Sequence, residues 1–403
     1  MSRRALILGW FAGCLVALAT GCPTDEDPPM ITDIPNEPGG NPLVPALAMY
    51  PFPADFYLED DASTATGRRV AIPEEAMPTD LHAESFAGAD GFSRAPMILA
   101  YFEGGLDGDT LPELTDPSAS LADDSSVWLL REDTWERTPI LVELDQNAPS
   151  TAKQILIIRP QVSLAADTGY VVVLRDSLRS ADGSGPPPVT EAFRALRDGI
   201  ATDSDAVEAQ RGDFQLVNAA IAGAGVAPES VVLAWSFHTR SEEQVTGPLL
   251  GMQDVAATWP LDGWALTSDE WDGEDRLIRG TFTAPDFLGD VGVIQVDDSG
   301  APVQHGTREV EFMLTIPNSY EGQTRPVIVY GHGFFSSLEE CTWSKENDGI
   351  HQWQVACATT NFIGTNEDDL VDAFGILGDL NRIPEWPSQQ MQSHVHFSLL
   401  GRL

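Results

Sequence analysis

RPVIVYGHGFFSS, residues 325–337, decides how the second half of the chain is read. Val327, Ile328, Val329 and Tyr330 form a short, continuous apolar run of β-branched and aromatic residues. Such a run fits a strand buried on both faces, as in a parallel sheet. Gly331-His332-Gly333 follows at once, so the backbone can turn sharply and leave N–H groups facing open space. The stretch therefore predicts a strand that ends in a donor-lined turn.

Downstream, the pattern predicts a helix over 338–353, a short strand over 355–360 and another helical stretch from Asp368. Strand, helix, strand, helix at this spacing begins a parallel α/β sheet. Upstream the character differs. APMILAYF (95–102), SVWLLRE (126–132), TPILVEL (138–144), KQILIIRP (153–160) and GYVVVLRD (169–176) are strand candidates separated by acidic, Gly- or Pro-containing loops. Their spacing predicts an all-β, sandwich-like unit. RSADGSGPPP (179–188) reads as a turn and a stiff connector; Asp182 lacks the alternating carboxylates of a calcium loop. A helical pattern spans 203–222, and VVLAWSFHT (231–239) is a further strand. Ser241 with Gln244 three residues on forms a capping box that starts a helix, which Gly247 and Pro248 should kink within two turns. Residues 276–284 and 307–316 read as two more strands, and there is no internal repeat.

The amino terminus is not part of the fold. Arg3 and Arg4 precede an apolar stretch from Ala5 to Ala19 that is short for a membrane span and suits a secretory signal. It ends LATGC, with small residues before Cys22. Residues 23–48, rich in Pro, Asp and Glu, read as a tether. The expected organisation is thus 1–22 signal, 23–48 tether, 49–285 β-rich domain with helical insertions, and 286–403 the first half of an α/β domain. The fold class expected is α+β and multi-domain. With 62 acidic against 22 basic residues the net charge is −40, which disfavours nucleic acid and anionic head groups as partners of the folded part. Cys14 leaves with the signal, so Cys341 and Cys357 remain as a pair suited to a disulfide in an oxidising compartment.

Three segments, ADGFSRAPM (89–97), ILIIRPQVSLAADTGYVVVLRDSLRSADG (155–183) and FHTRSEEQVTGPLL (237–250), resemble bacterial secreted lipase-like proteins, as do VIVYGHGFFSS (327–337) and VACATTNFIGTNEDDL (355–370). One branch is the virulence factor lipase N-terminal family, in which a β-rich domain precedes an α/β-hydrolase domain. LATGC likewise resembles a bacterial lipobox, which makes Cys22 the lipidated residue. The resemblance implies carboxylic ester hydrolysis through a serine ester, an ester or lipid substrate in full-length relatives, and no cofactor or metal. It also implies lipid anchoring in the cell envelope, at the outer membrane or cell surface. The turn His332, Gly333, Phe334 matches the oxyanion turn, with the backbone N–H groups of Gly333 and Phe334 as donors.

The chain departs from that pattern at the nucleophile. It contains no G-x-S-x-G; GFSRA at Gly91 lacks the second Gly and precedes the sheet. Ser336 and Ser337 lie within the turn itself, without separate donors opposite them. His351, Asp368 and Asp369 have no Ser or Cys partner, and the two acids suit the start of a helix. His394 and His396 would share a face only on a strand; on a helix they point about 200° apart. The expectation is therefore an envelope lipoprotein with a catalytically incomplete hydrolase domain, truncated before the nucleophile turn. The competing expectation is a surface lipoprotein whose β-rich domain binds a protein or polysaccharide.

Overall fold

The computed structural model describes residues 30–78, 80–290, 292–318 and 324–403. The signal segment with Cys14 and Cys22, and residues 23–29 of the expected tether, lie outside the described residues. The rest of that tether is corrected: residues 30–48 belong to the fold, because Met30–Ile31 pairs with Ala201–Thr202 and Leu43 and Val44 are buried in the first core. The protein is mixed α/β with several sheets, most of their pairings antiparallel.

Ten strands belong to the first part: β1 (Met30–Ile31), β2 (Leu58–Asp60), β3 (Arg68–Val70), β4 (Ile98–Tyr101), β5 (Val127–Arg131), β6 (Ile140–Leu144), β7 (Ile155–Pro160), β8 (Gly169–Arg175), β9 (Ala201–Thr202) and β10 (Val231–His238). All five runs read as strands are strands. They divide into two antiparallel three-stranded sheets, β4-β7-β6 and β10-β8-β5. Every residue of β8 up to Leu174 is buried, as befits a central strand covered on both faces, whereas β7 alternates and has one covered face. One core runs through both sheets and the short helices α1 (Glu191–Asp198), α2 (Asp205–Glu208) and α3 (Phe214–Gly223). The predicted helix over 203–222 is thus interrupted, by a turn through Gly212 between α2 and α3.

Helix α4 (Glu242–Thr258) starts at the predicted cap, with the Ser241 hydroxyl accepting from the Gln244 N–H at 3.1 Å. The reciprocal arm of the expected box is absent, because the Ser241 N–H donates to Asp90 instead of to Gln244. Gly247 and Pro248 do not end the helix. The helix continues through Pro248 as one element, because Met252 and Ala256 beyond it are locked into a second core.

That second core belongs to a five-stranded sheet of β11 (Trp264–Asp272), β12 (Asp275–Asp286), β13 (Gly306–Pro317), β14 (Val327–Tyr330) and β15 (Ala356–Thr360). Its order is β11-β12-β13-β15-β14. Two expectations change here. The boundary at 285/286 falls inside this sheet, since β12 pairs along its whole length with β13 and Phe282 packs in the second core. The sheet is also mixed, and only β14 and β15 run parallel. The reason is connectivity: a tight turn at Gly273 joins β11 to β12 as a hairpin, while α5 (Ser344–Trp353) crosses from β14 to β15.

Alternation along the strands sends side chains to two covered faces. Ile328, Tyr330 and Cys357 meet Cys341 and Ile350 on the α5 side. Val329 and Ala358 meet Met252, Phe282, Val395 and Leu399 on the side of α4 and of α7 (Glu385–Leu400). The exposed hairpin strand β11 has no such pattern, which is why the sequence did not announce it. Helix α6 (Leu370–Gly378) joins β15 to α7.

Candidate functional site

Because β14 and β15 are parallel, their carboxyl ends open on the same end of the sheet. The turn 331–337 after β14 meets the loop 361–366 after β15 there. Phe335 N–H donates to the Thr365 carbonyl at 2.7 Å, Glu367 N–H to the Ser336 carbonyl at 2.9 Å, and Leu338 N–H to Asn361 Oδ1 at 2.7 Å. Phe335 is held at a φ of 58°, the left-handed region that costs a bulky residue strain. In open α/β sheets, ligands bind at such carboxyl ends, where neighbouring strands diverge in order.

His332 is buried and both ring nitrogens are engaged. Nε2 accepts from the Phe362 N–H at 2.9 Å, which fixes the proton on Nδ1, and Nδ1 donates to the Gly333 carbonyl at 2.7 Å. The ring is a brace between the two loops and has no nitrogen left for proton transfer. Gly333 N–H donates to Glu340 Oε2 at 2.6 Å. Phe334 N–H has no acceptor among the described residues, and the Phe334 ring is exposed and stacks on Trp386 at 5.6 Å between centroids. Ser336 Oγ is buried without a hydrogen-bond partner among the described residues.

The remaining candidates separate. Cys341 and Cys357 are joined as a disulfide, with Cα atoms 6.4 Å apart. His351 pairs with Asp275 at 2.9 Å, at the far end of β12. Asp369 completes the cap of the turn into α6, accepting from the N–H groups of Gly364 and Asn366, while Asp368 is exposed. Burial pushes the Asp369 carboxyl up despite those donors. His394 and His396 lie on α7 and so diverge; burial drives the His396 pKa down to about 3, so it is neutral. Among the described residues no group of His, Cys, Asp and Glu is arranged to hold a metal ion. No described helix is long and apolar enough to cross a membrane.

Two features were missed in the sequence. One is Glu340, seven residues past Gly333, whose carboxylate sits on the turn's N–H. The other is a buried charged cluster in the first part. Ser236 and His238 share a face of β10, two residues apart. Both hydrogen-bond to Asp55, His238 Nδ1 to Oδ1 at 2.9 Å and Ser236 Oγ to Oδ2. The Arg68 guanidinium lies 3.7 Å from the same Oδ1 and also approaches Nδ1, while Nε2 faces Glu132 at 3.5 Å. Burial pushes the His238 pKa down, but its hydrogen bonds to Asp55 and Glu132 outweigh that and raise it to about 9. The hydrogen bond to His238 holds Glu132 correspondingly low. This is no Ser-His-Asp relay, because the serine donates to the carboxylate and nothing links it to the imidazole. It is a structural crosslink between β3, β5, β10 and the segment at Asp55.

The fold and the turn together define a mixed α/β protein carrying a donor-lined loop at the carboxyl ends of two parallel strands. No protein-family model matches the chain, and no curated protein matches it.

Proposed function

We propose that this chain carries the oxyanion-binding half of an ester hydrolase of the α/β type and is held at the bacterial cell envelope by lipid on Cys22. The observation that carries the catalytic part is the Glu340 carboxylate seated on the Gly333 N–H beside the unoccupied Phe334 N–H. A carboxylate oxygen there stands in for the oxygen that gains charge when an ester carbonyl is attacked. The N–H groups that serve this purpose in α/β-hydrolases come from the nucleophile turn and from the loop between a sheet strand and the first helix. What supports this reading is that the 331–337 turn likewise follows a sheet strand and precedes a helix, between β14 and α5. Fixed donors of this kind contribute about 3 kcal/mol to the transition state. Glu340 must swing away for substrate to enter.

No nucleophile is proposed among these residues, because no G-x-S-x-G occurs in the sequence and His332 is fully engaged. The purified 403-residue chain should therefore hydrolyse p-nitrophenyl butyrate no faster than background, and a fluorophosphonate should label no serine. A single stoichiometrically labelled serine would show that a nucleophile is present. The turn itself is tested in Glu340→Ala by following backbone amide resonances. Phenylphosphonate should shift those of Gly333 and Phe334 saturably, and unmoved resonances would end the oxyanion reading.

The envelope part rests on the basic and apolar signal ending in Gly21-Cys22 and on the acidic, Pro-rich residues 23–29 that follow it. Cys22→Ala should release the protein from the membrane fraction of fractionated cells. Unchanged membrane association in that variant rules the anchor out.

A further inference from the structure

A groove of about 1050 Å³ lies between the first part and the carboxyl-terminal elements. It is slightly larger than the usual range of small-molecule sites. Its walls are mainly apolar, with Phe52, Ile72, Leu81, Val245 and Ile294 among them. Its rim reaches Pro384, two residues before the Trp386 ring that stacks on Phe334. Asn381 fixes the lip on that side by accepting from the His82 N–H at 2.8 Å and donating to the Asp80 carbonyl at 2.8 Å.

One lining residue is out of keeping with those walls. Arg240 is half-buried, and its Nε donates to the neutral Gln244 Oε1 at 3.0 Å. No carboxylate lies within ion-pair distance of it among the described residues, in a chain with 62 acidic side chains. Arg94, which also lines the groove, is paired with Glu242. The nearby Asp90 is spent on the Ser241 N–H at 3.2 Å and compensates Arg240 only from a distance. Burial accordingly pulls the Arg240 pKa below its ordinary value. A partly desolvated guanidinium without a paired anion is costly unless a ligand supplies one. Its planar fork of donors matches a carboxylate in two-point contact.

We propose that this groove binds a single-chain amphiphile with a carboxylate head, the carboxylate on Arg240 and the chain along the apolar walls. The inference is independent of whether the turn at Gly333 serves ester hydrolysis.

Calorimetry on the full chain tests it, using decanoate below its micelle concentration, with decanol and decyltrimethylammonium as comparison ligands. Decanoate should bind one to one, decanol at least tenfold more weakly, and decyltrimethylammonium not at all. Arg240→Met should weaken decanoate tenfold or more and leave decanol unchanged, which also shows the groove intact; Arg240→Lys should restore part of the loss. Ala95→Trp, which fills the groove from its wall, should abolish both. Failure of decanoate to saturate at one site, equal affinities for decanoate and decanol, or decanoate binding indifferent to both Arg240→Met and Ala95→Trp would each overturn the proposal.

Discussion

Asp55→Ala is expected to destabilise the protein by about 3–5 kcal/mol, the cost of removing one partner from a buried ion pair. Asp55 is 4% exposed and holds Ser236 and His238 of β10 and Arg68 of β3. Without it, two cations face each other and the Ser236 hydroxyl loses its acceptor. The pH dependence is equally specific. His238 has a folded pKa of about 9, above the ordinary value near 6.5. A raised histidine pKa means that its contribution is fully present below about pH 6.5. It declines as pH rises and is lost above about pH 9. The span corresponds to about 3 kcal/mol. Urea unfolding of the parent and of Asp55→Ala at pH 6 and pH 10 checks both claims. The gap between them should be wide at pH 6 and narrow markedly at pH 10. A small gap at pH 6, or one that ignores pH, would mean that the cluster is only a surface arrangement.

Loss of the Cys341–Cys357 crosslink should cost about 3 kcal/mol, as expected for a closed loop of 16 residues. The bond ties the segment just after the 331–337 turn to β15, across α5, and both sulfurs are buried against Ile350 and Val355. The double variant Cys341→Val, Cys357→Val keeps that packing apolar, so its shift in urea midpoint reports the crosslink and not a cavity. Mass spectrometry of the unreduced digest should show the joined peptides. Two alkylatable thiols in protein purified without reductant would refute the crosslink. Loosening this loop should also widen the spread of amide resonances at Gly333 and Phe334, because the turn is braced from the same side.

The sequence by itself determined most elements and little of their company. The apolar runs at 98–101, 127–131, 140–144, 155–160 and 169–175 are strands because β-branched stretches between turn residues have few other solutions. The Ser241 cap was legible for the same local reason: a hydroxyl and a backbone N–H three residues apart. The turn at 331–333 was legible because glycines flank His332 directly after an apolar run. The burial expected of that run was not: β14 is the edge strand of its sheet, with Val327 exposed and Ile328 to Tyr330 half-buried. Partner choice was not local. β8 takes β5 and β10 in preference to its chain neighbour β7, since only a fully apolar strand tolerates cover on both faces. The fate of Pro248 was settled by packing beyond it, which outweighs a local helix penalty. The domain boundary moved because β12 gains more from pairing along all of β13 than its neighbours in sequence suggest. Charges were the least legible. In so acidic a chain nothing marks Glu340 as the carboxylate that reaches Gly333, or Asp55 as the one buried under His238. Nor does anything mark Arg240 as a cation without a close anion. Each depends on which side chains the fold brings within a few ångströms, where desolvation makes one pairing matter more than many exposed charges.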